Sequence, residues 1–87
     1  MSKLTIFIQP HCPHCVRALA YIEQIKRERE DLAGVEIELV DELKEAARAD
    51  RYDYYYVPTF YLGDEKLSEG TVTMSKVLEI LERSKQQ

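Results

Sequence analysis

The hydrophobic pattern of this 87-residue chain changes period across Gln9-Pro10-His11, and few architectures accept that change so close to the N-terminus. Before the break, Leu4, Ile6 and Ile8 alternate with Thr5 and Phe7, so Lys3 to Ile8 is predicted as a β-strand. Both sides carry buried-type residues, as on an inner strand of a sheet covered on both faces. After the break, Cys15, Leu19, Ile22 and Ile25 recur at helical spacing, with Val16 and Ala18 nearby. Arg17, Gln24, Arg27 and Glu28 take the wet side. The spacing predicts an amphipathic helix of about 15 to 18 residues starting at Cys12. Gly34 marks the exit from it or from a short loop behind it.

Val35, Ile37 and Leu39 then alternate with Glu36 and Glu38, which predicts a second strand whose charged side suits a sheet edge. Asp41 is placed to cap a second helix through about Asp50, with Leu43, Ala46 and Ala47 inward. A tyrosine-rich stretch, Arg51 to Val57, ends at Pro58, and Thr59 to Leu62 reads as a third strand. Gly63-Asp64 makes a tight turn into a short fourth strand, Glu65 to Ser68. Beyond Gly70, Thr71 or Thr73 caps a last helix with Met74, Val77, Leu78 and Leu81 on one stripe, and Ser84 to Gln87 is expected to fray. The order β-α-β-α-β-β-α predicts an α/β fold. A parallel crossover joins the first two strands, an antiparallel pair follows, and helices cover both faces of a four-stranded mixed sheet. No linker, repeat or low-complexity segment interrupts it, so residues 1–87 read as a single domain.

Charge narrows the partners. With 12 Lys+Arg against 16 Asp+Glu the net charge is −4, and without a basic cluster nucleic acid is not an expected partner. No apolar run approaches the roughly 20 residues of a membrane span, and Met1 to Thr5 carries no signal-peptide cleavage pattern. A cytoplasmic monomer is expected.

The two cysteines, Cys12 and Cys15, lie three positions apart. A bond between them would close almost no chain, so it is a poor staple and is better explained by chemistry. With the helix beginning at Cys12, that residue is the N-cap, Pro13 is N1, His14 is N2 and Cys15 is N3. Proline at N1 loses nothing, because its missing N–H would have no partner there. A Cys12 thiolate can accept the N2 or N3 amide as a cap and is favoured by the helix dipole, so its pKa should fall. A thiolate attacks disulfides and leaves readily. Cys12 is therefore the candidate nucleophile and Cys15, one turn in and more shielded, the candidate resolving thiol. His14 either tunes the pair through its ring or is an exposed polar residue; His11 reads as an exposed loop histidine.

Cys12-Pro13-His14-Cys15 after a first strand, Val57-Pro58-Thr59 before a third, and Gly70 before the last helix resemble a glutaredoxin-like small redoxin of the thioredoxin superfamily. The resemblance runs from Lys3 to about Leu81. It implies a thioredoxin-like fold, a cis peptide between Val57 and Pro58, and a Val57 backbone that pairs with an extended disulfide substrate. It implies a thiol–disulfide oxidoreductase with no bound cofactor, acting on protein or small-molecule disulfides, with glutathione or a thioredoxin reductase as electron donor. Glutaredoxins hold glutathione's carboxylates with a lysine before the first cysteine and a Gly-Gly-x-Asp-like signature before the last helix. Here Gln9 and His11 stand around the first place and Glu69-Gly70-Thr71-Val72 at the second, where only Gly70 and the Thr71 hydroxyl could serve and Glu69 would repel a carboxylate. Of the tyrosines 52, 54, 55 and 56, one or two are expected to fill the core and the others to sit at the surface, with Tyr56 the candidate for substrate contact.

The rival reading is a metal-binding module. His11, Cys12, His14 and Cys15 supply four ligands within five residues, but structural zinc usually joins two separated pairs and no second pair exists. Its variant is an iron–sulfur cluster shared between two chains. Attachment of c-type haem needs histidine after the second cysteine, where Val16 stands. A redox-inert binding domain on the same scaffold is the third reading.

Overall fold

The computed structural model describes residues 3–86. Its elements are β1 (Leu4–Ile8), α1 (Pro13–Glu28), a 3-10 turn (Glu30–Leu32), β2 (Ile37–Asp41), α2 (Ala46–Ala49), β3 (Thr59–Leu62), β4 (Glu65–Glu69) and α3 (Met74–Gln86). The strands form one mixed sheet in the order β2-β1-β3-β4. β1 runs parallel to β2, with Leu4 opposite Ile37 and Ile8 opposite Asp41. It runs antiparallel to β3, with Leu4 opposite Leu62 and Phe7 opposite Thr59. β4 completes the sheet antiparallel to β3. The predicted α/β class, element order and mixed sheet are those observed, with the 3-10 turn added.

Every residue of β1 is buried, as an inner strand requires. Its two faces feed two cores. Leu4, Ile6 and Ile8 meet Cys15, Ala18, Ile22 and Ile25 of α1, Val77, Ile80 and Leu81 of α3, and Phe60, Leu32 and Val72. Phe7, on the other face, meets Val40, Ala49 and Tyr61, with Tyr52 and Tyr54 packed against them. Phe7 is sealed by rings: its centroid lies 4.7 Å from that of Tyr52 and 4.9 Å from that of Tyr54, and Tyr61 meets it edge-on at 6.0 Å. Burying a side chain of that size contributes about 1.5–3 kcal/mol. The tyrosines are needed because the helix on this face has only four residues.

That short helix is the main departure from the predicted pattern. Asp41 ends β2 rather than capping a helix; its carboxylate accepts the Leu43 N–H at 2.9 Å, and its carbonyl accepts the N–H groups of Lys44 and Glu45. These local bonds spend the segment on a turn, so α2 begins only at Ala46. Leu43 is 68% exposed and Ala46 and Ala47 are also exposed; Ala49 is the residue that turns inward. Leu39 is 46% exposed as well. It sits on the sheet edge, and Val40, on the opposite side of β2, is the buried contact.

The last helix is capped by Thr73, whose hydroxyl accepts the Lys76 N–H at 3.1 Å. It does not fray at Ser84: that residue is buried, its hydroxyl donates to the Ile80 carbonyl at 2.8 Å, and the helix continues to Gln86. Gln87 lies outside the described residues. The predicted Gly63-Asp64 turn is present, with Gly63 at φ 61°, where a side chain would be strained. Among the described residues no helix is long and apolar enough to cross a membrane.

Candidate functional site

The chain leaves the C-terminal end of β1 and re-enters a helix within four residues, and both cysteines sit at that entry. Cys12 is the N-cap, with extended backbone (φ −77°, ψ 121°), and Pro13 occupies the first turn. The Cys12 N–H donates to the Gln9 carbonyl at 3.1 Å, and the Cys12 carbonyl accepts the first helical bond from Val16 at 3.0 Å. This is the placement the sequence predicts for a proline-led helix. Both thiols are free, Cys12 half-buried and Cys15 only 1% exposed.

The two sulfurs therefore live in different fields. Cys12 closes no capping hydrogen bond, contrary to expectation, yet its pKa lies below the ordinary 9.0. The Cys15 backbone N–H is the largest cause; partial burial opposes it, and the His14 N–H adds to the lowering. An anion at Cys12 would draw on these first-turn amides, which have no partner within the helix. Cys15 is pushed up to about 11, chiefly because burial penalises a charged sulfur. A backbone N–H from Gln9 works against that rise, while the neighbouring Cys12 and the charge of Glu42 add to it.

Register brings the second half of the site to the same place. Because Phe7 pairs with Thr59, the end of β1 that leads to Cys12 lies at the end of the sheet where β3 begins. The Val57–Pro58 peptide is cis, as the resemblance implies, and Pro58 is fully buried. Cys12 and Val57 both pack on the rim of the larger core. The Gly70 N–H donates to the Pro58 carbonyl at 2.9 Å, so the β4 exit is tied to the same corner. Tyr56 is 70% exposed there, its carbonyl accepting the Thr59 hydroxyl. A Cβ added at Gly70 would lie 3.7 Å from that of Tyr56. Thr71 is exposed next to this corner. The predicted residues Cys12, Pro13, His14, Cys15, Tyr56, Val57, Pro58, Gly70 and Thr71 are thus gathered at one end of the sheet.

His14 is exposed, and its part in the site is played by its backbone amide; among the described residues no hydrogen bond engages its ring. His11 is exposed too. The helix entry divides the four candidate metal ligands between solvent and core, and among the described residues no group of three His, Cys, Asp or Glu side chains is placed to hold a metal ion. The tyrosine stretch divides as expected, with Tyr52 and Tyr54 in the smaller core and Tyr55 and Tyr56 at the surface.

Two carboxylates make contacts at the site that the sequence does not signal. Glu42, at the end of β2, accepts the Gln9 side-chain amide at one oxygen and the Tyr54 hydroxyl at the other, 2.6 Å away. Glu69, at the end of β4, accepts the backbone amides of Tyr55 and Tyr56 and pairs with Lys66. Apart from Lys66, three residues before Glu69, the partners are distant in sequence and are brought in by the tertiary fold.

No protein-family model matches the chain. It is 27% identical over 81 residues to a thioredoxin of Methanocaldococcus jannaschii, an alignment covering 93% of each chain. Among solved structures, it resembles the first two thioredoxin domains of Saccharomyces cerevisiae Eps1p, with a TM-score of 0.62 and 21% identity over 95% of this chain. The chain spans about a third (35%) of the length of that structure, and the likeness is one of fold. The chain thus has a thioredoxin-like fold and is similar, along nearly its whole length, to a protein named thioredoxin, which supports a small redoxin of the thioredoxin superfamily.

Proposed function

We propose that the protein is a glutaredoxin-like electron carrier that reduces or exchanges protein and low-molecular-weight disulfides through its Cys-Pro-His-Cys dithiol. The observation that carries this reading is the contrast between two sulfurs one helical turn apart: one at the helix entry with a lowered pKa, the other buried and raised to about 11. The thiolate is the reactive form, so Cys12 attacks and Cys15 waits.

In the first step the Cys12 sulfur attacks one sulfur of the substrate disulfide. A Cys12–substrate bond forms, the substrate's own S–S bond breaks, and the electron pair departs on the other substrate sulfur, which takes up a proton. In the second step Cys15 releases its proton and attacks the Cys12 sulfur. The Cys12–Cys15 disulfide forms and the remaining substrate sulfur leaves as thiolate. Two electrons have passed from the dithiol to the substrate. A thiolate-favouring environment at Cys12 assists both steps, because the same sulfur is attacker and then the one that Cys15 must reach.

Substrate is held as an extended chain along the Val57 backbone, in the manner of an added strand, with Tyr56, Gly70 and Thr71 alongside. No bound cofactor is required. Glutathione or a thioredoxin reductase restores the dithiol, and likeness to a protein named thioredoxin supports the reductase. The net charge of −4 supports a carrier that works apart from nucleic acid, and we place it in the cytoplasm as a monomer.

Mass spectrometry tests the assignment. Cys15→Ser offered a disulfide peptide should accumulate a mixed disulfide on Cys12, and Cys12→Ser should show neither adduct nor turnover. Reductase activity retained by Cys12→Ser would overturn the reading. Offering the oxidised protein glutathione, or thioredoxin reductase with NADPH, identifies the donor.

A further inference from the structure

Two consecutive backbone amides converge on one oxygen of Glu69: Tyr55 N–H at 2.5 Å and Tyr56 N–H at 3.0 Å. The other oxygen takes the Lys66 ammonium at 2.7 Å. Glu69 stands opposite Thr59 in the β3–β4 pair, and the next amide, Gly70 N–H, holds the Pro58 carbonyl. The carboxylate is therefore seated directly beside the Val57–Pro58 bond. Successive main-chain N–H groups aimed at one point form an anion-binding concavity. Here the chain fills that concavity with its own side chain. Lys66 and the two amides hold the Glu69 carboxyl down to about 2, so it stays ionised throughout the neutral range.

We propose that Glu69 is an internal anion occupying a carboxylate-binding nest beside the Val57–Pro58 bond, at the end of the sheet where the dithiol lies, and that it is a specificity-determining residue. It makes the site poor for disulfides that dock through a carboxylate, glutathione among them, and leaves it suited to extended peptide disulfides that need only backbone pairing. A ligand carboxylate would have to displace charge-assisted bonds already made and would meet a like charge while doing so. A peptide has no such conflict: the nest is closed, while Tyr55 and Tyr56, whose amides form it, are 87% and 70% exposed. The inference rests on the proposed exchange chemistry for its meaning, but the nest can be tested without it.

The experiment compares wild type, Glu69→Ala and Glu69→Gln on one peptide joined through a disulfide either to glutathione or to glutathione dimethyl ester, which lacks free carboxylates. Wild type should not prefer the free acid. In Glu69→Ala the ratio of kcat/KM for acid over ester should rise about tenfold or more, the worth of one charge-assisted hydrogen bond. Glu69→Gln, which keeps an uncharged oxygen in the nest, should shift the ratio the same way by less, and it reads the effect if the alanine variant does not fold. A wild-type preference for the acid, or an unchanged ratio in the folded variants, overturns the proposal. If wild type turns over neither substrate, the exchange reading fails, and binding of S-methylglutathione by calorimetry then decides the nest. About tenfold tighter binding to a Glu69 variant than to wild type supports it, and equal binding overturns it.

Discussion

Tyr54 donates its phenolic hydrogen to the Glu42 carboxylate across 2.6 Å, joining the tyrosine-rich segment to the end of β2. Gln9, three residues before Cys12, donates to the other carboxylate oxygen, and its backbone N–H faces the Cys15 sulfur. Cys15 therefore sits against a polar network that reaches into the aromatic core.

Removing the charge from that network should make Cys15 more acidic. Glu42→Gln deletes one of the influences that raise Cys15, but burial, the largest, remains. The Cys15 pKa is expected to fall from about 11 while staying above the ordinary 9.0. Thiolate absorbance of a Cys12→Ser background, titrated with and without Glu42→Gln, measures it; an unchanged titration removes Glu42 from the site's electrostatics.

The two thiols should give stability pH dependences of opposite sign. Cys12 has a folded pKa below 9.0, so its contribution is present above 9.0 and lost as pH falls through the folded value. Cys15 has a folded pKa near 11, so its contribution is present below 9.0 and lost as pH rises from 9.0 towards 11. Urea midpoints of the reduced protein, measured between neutral pH and the onset of tyrosine ionisation, should fall on the alkaline side less in Cys15→Ala than in wild type. An equal alkaline decline in both would show that the Cys15 environment does not oppose ionisation.

Truncating Phe7 should damage the fold more than any change at the surface. Phe7→Ala empties the centre of the ring cluster formed with Tyr52, Tyr54 and Tyr61, at a cost of about 3–5 kcal/mol. Against a domain stability of about 5–15 kcal/mol, that is a large share. Denaturant unfolding gives the value; a loss below about 1 kcal/mol would mean that the cluster is loosely packed.

Glycine is required at one loop and dispensable at another. Gly70 has φ 84°, and an added Cβ meets only that of Tyr56 at ordinary contact distance, so Gly70→Ala should lose about 1–2 kcal/mol through backbone strain alone. Gly34 has open space around it and no positive φ; Gly34→Ala should be neutral or stabilising by up to about 1 kcal/mol. Thermal melts of the pair decide it, and equal effects would contradict the assignment.

The dithiol corner was legible in the sequence because its physics is local. A period-two run ending at Ile8, a proline at N1 and a helical stripe from Cys15 determine where the two sulfurs stand, whatever packs around them. The second helix was misread for an equally local reason: Asp41 can cap a helix or close a turn, and the backbone bonds to Lys44 and Glu45 select the turn.

What only the folded chain decides is which distant groups meet. Glu69 reaches the amides of Tyr55 and Tyr56 because β4 pairs with β3, and Gln9 reaches Glu42 because β2 lies parallel to β1. Period and propensity constrain a residue's own backbone and say nothing about a partner many positions away. The sequence thus determined the order of the elements and the chemistry at the head of α1. Strand register, which exists only once the sheet has formed, decided which carboxylates stand beside that chemistry.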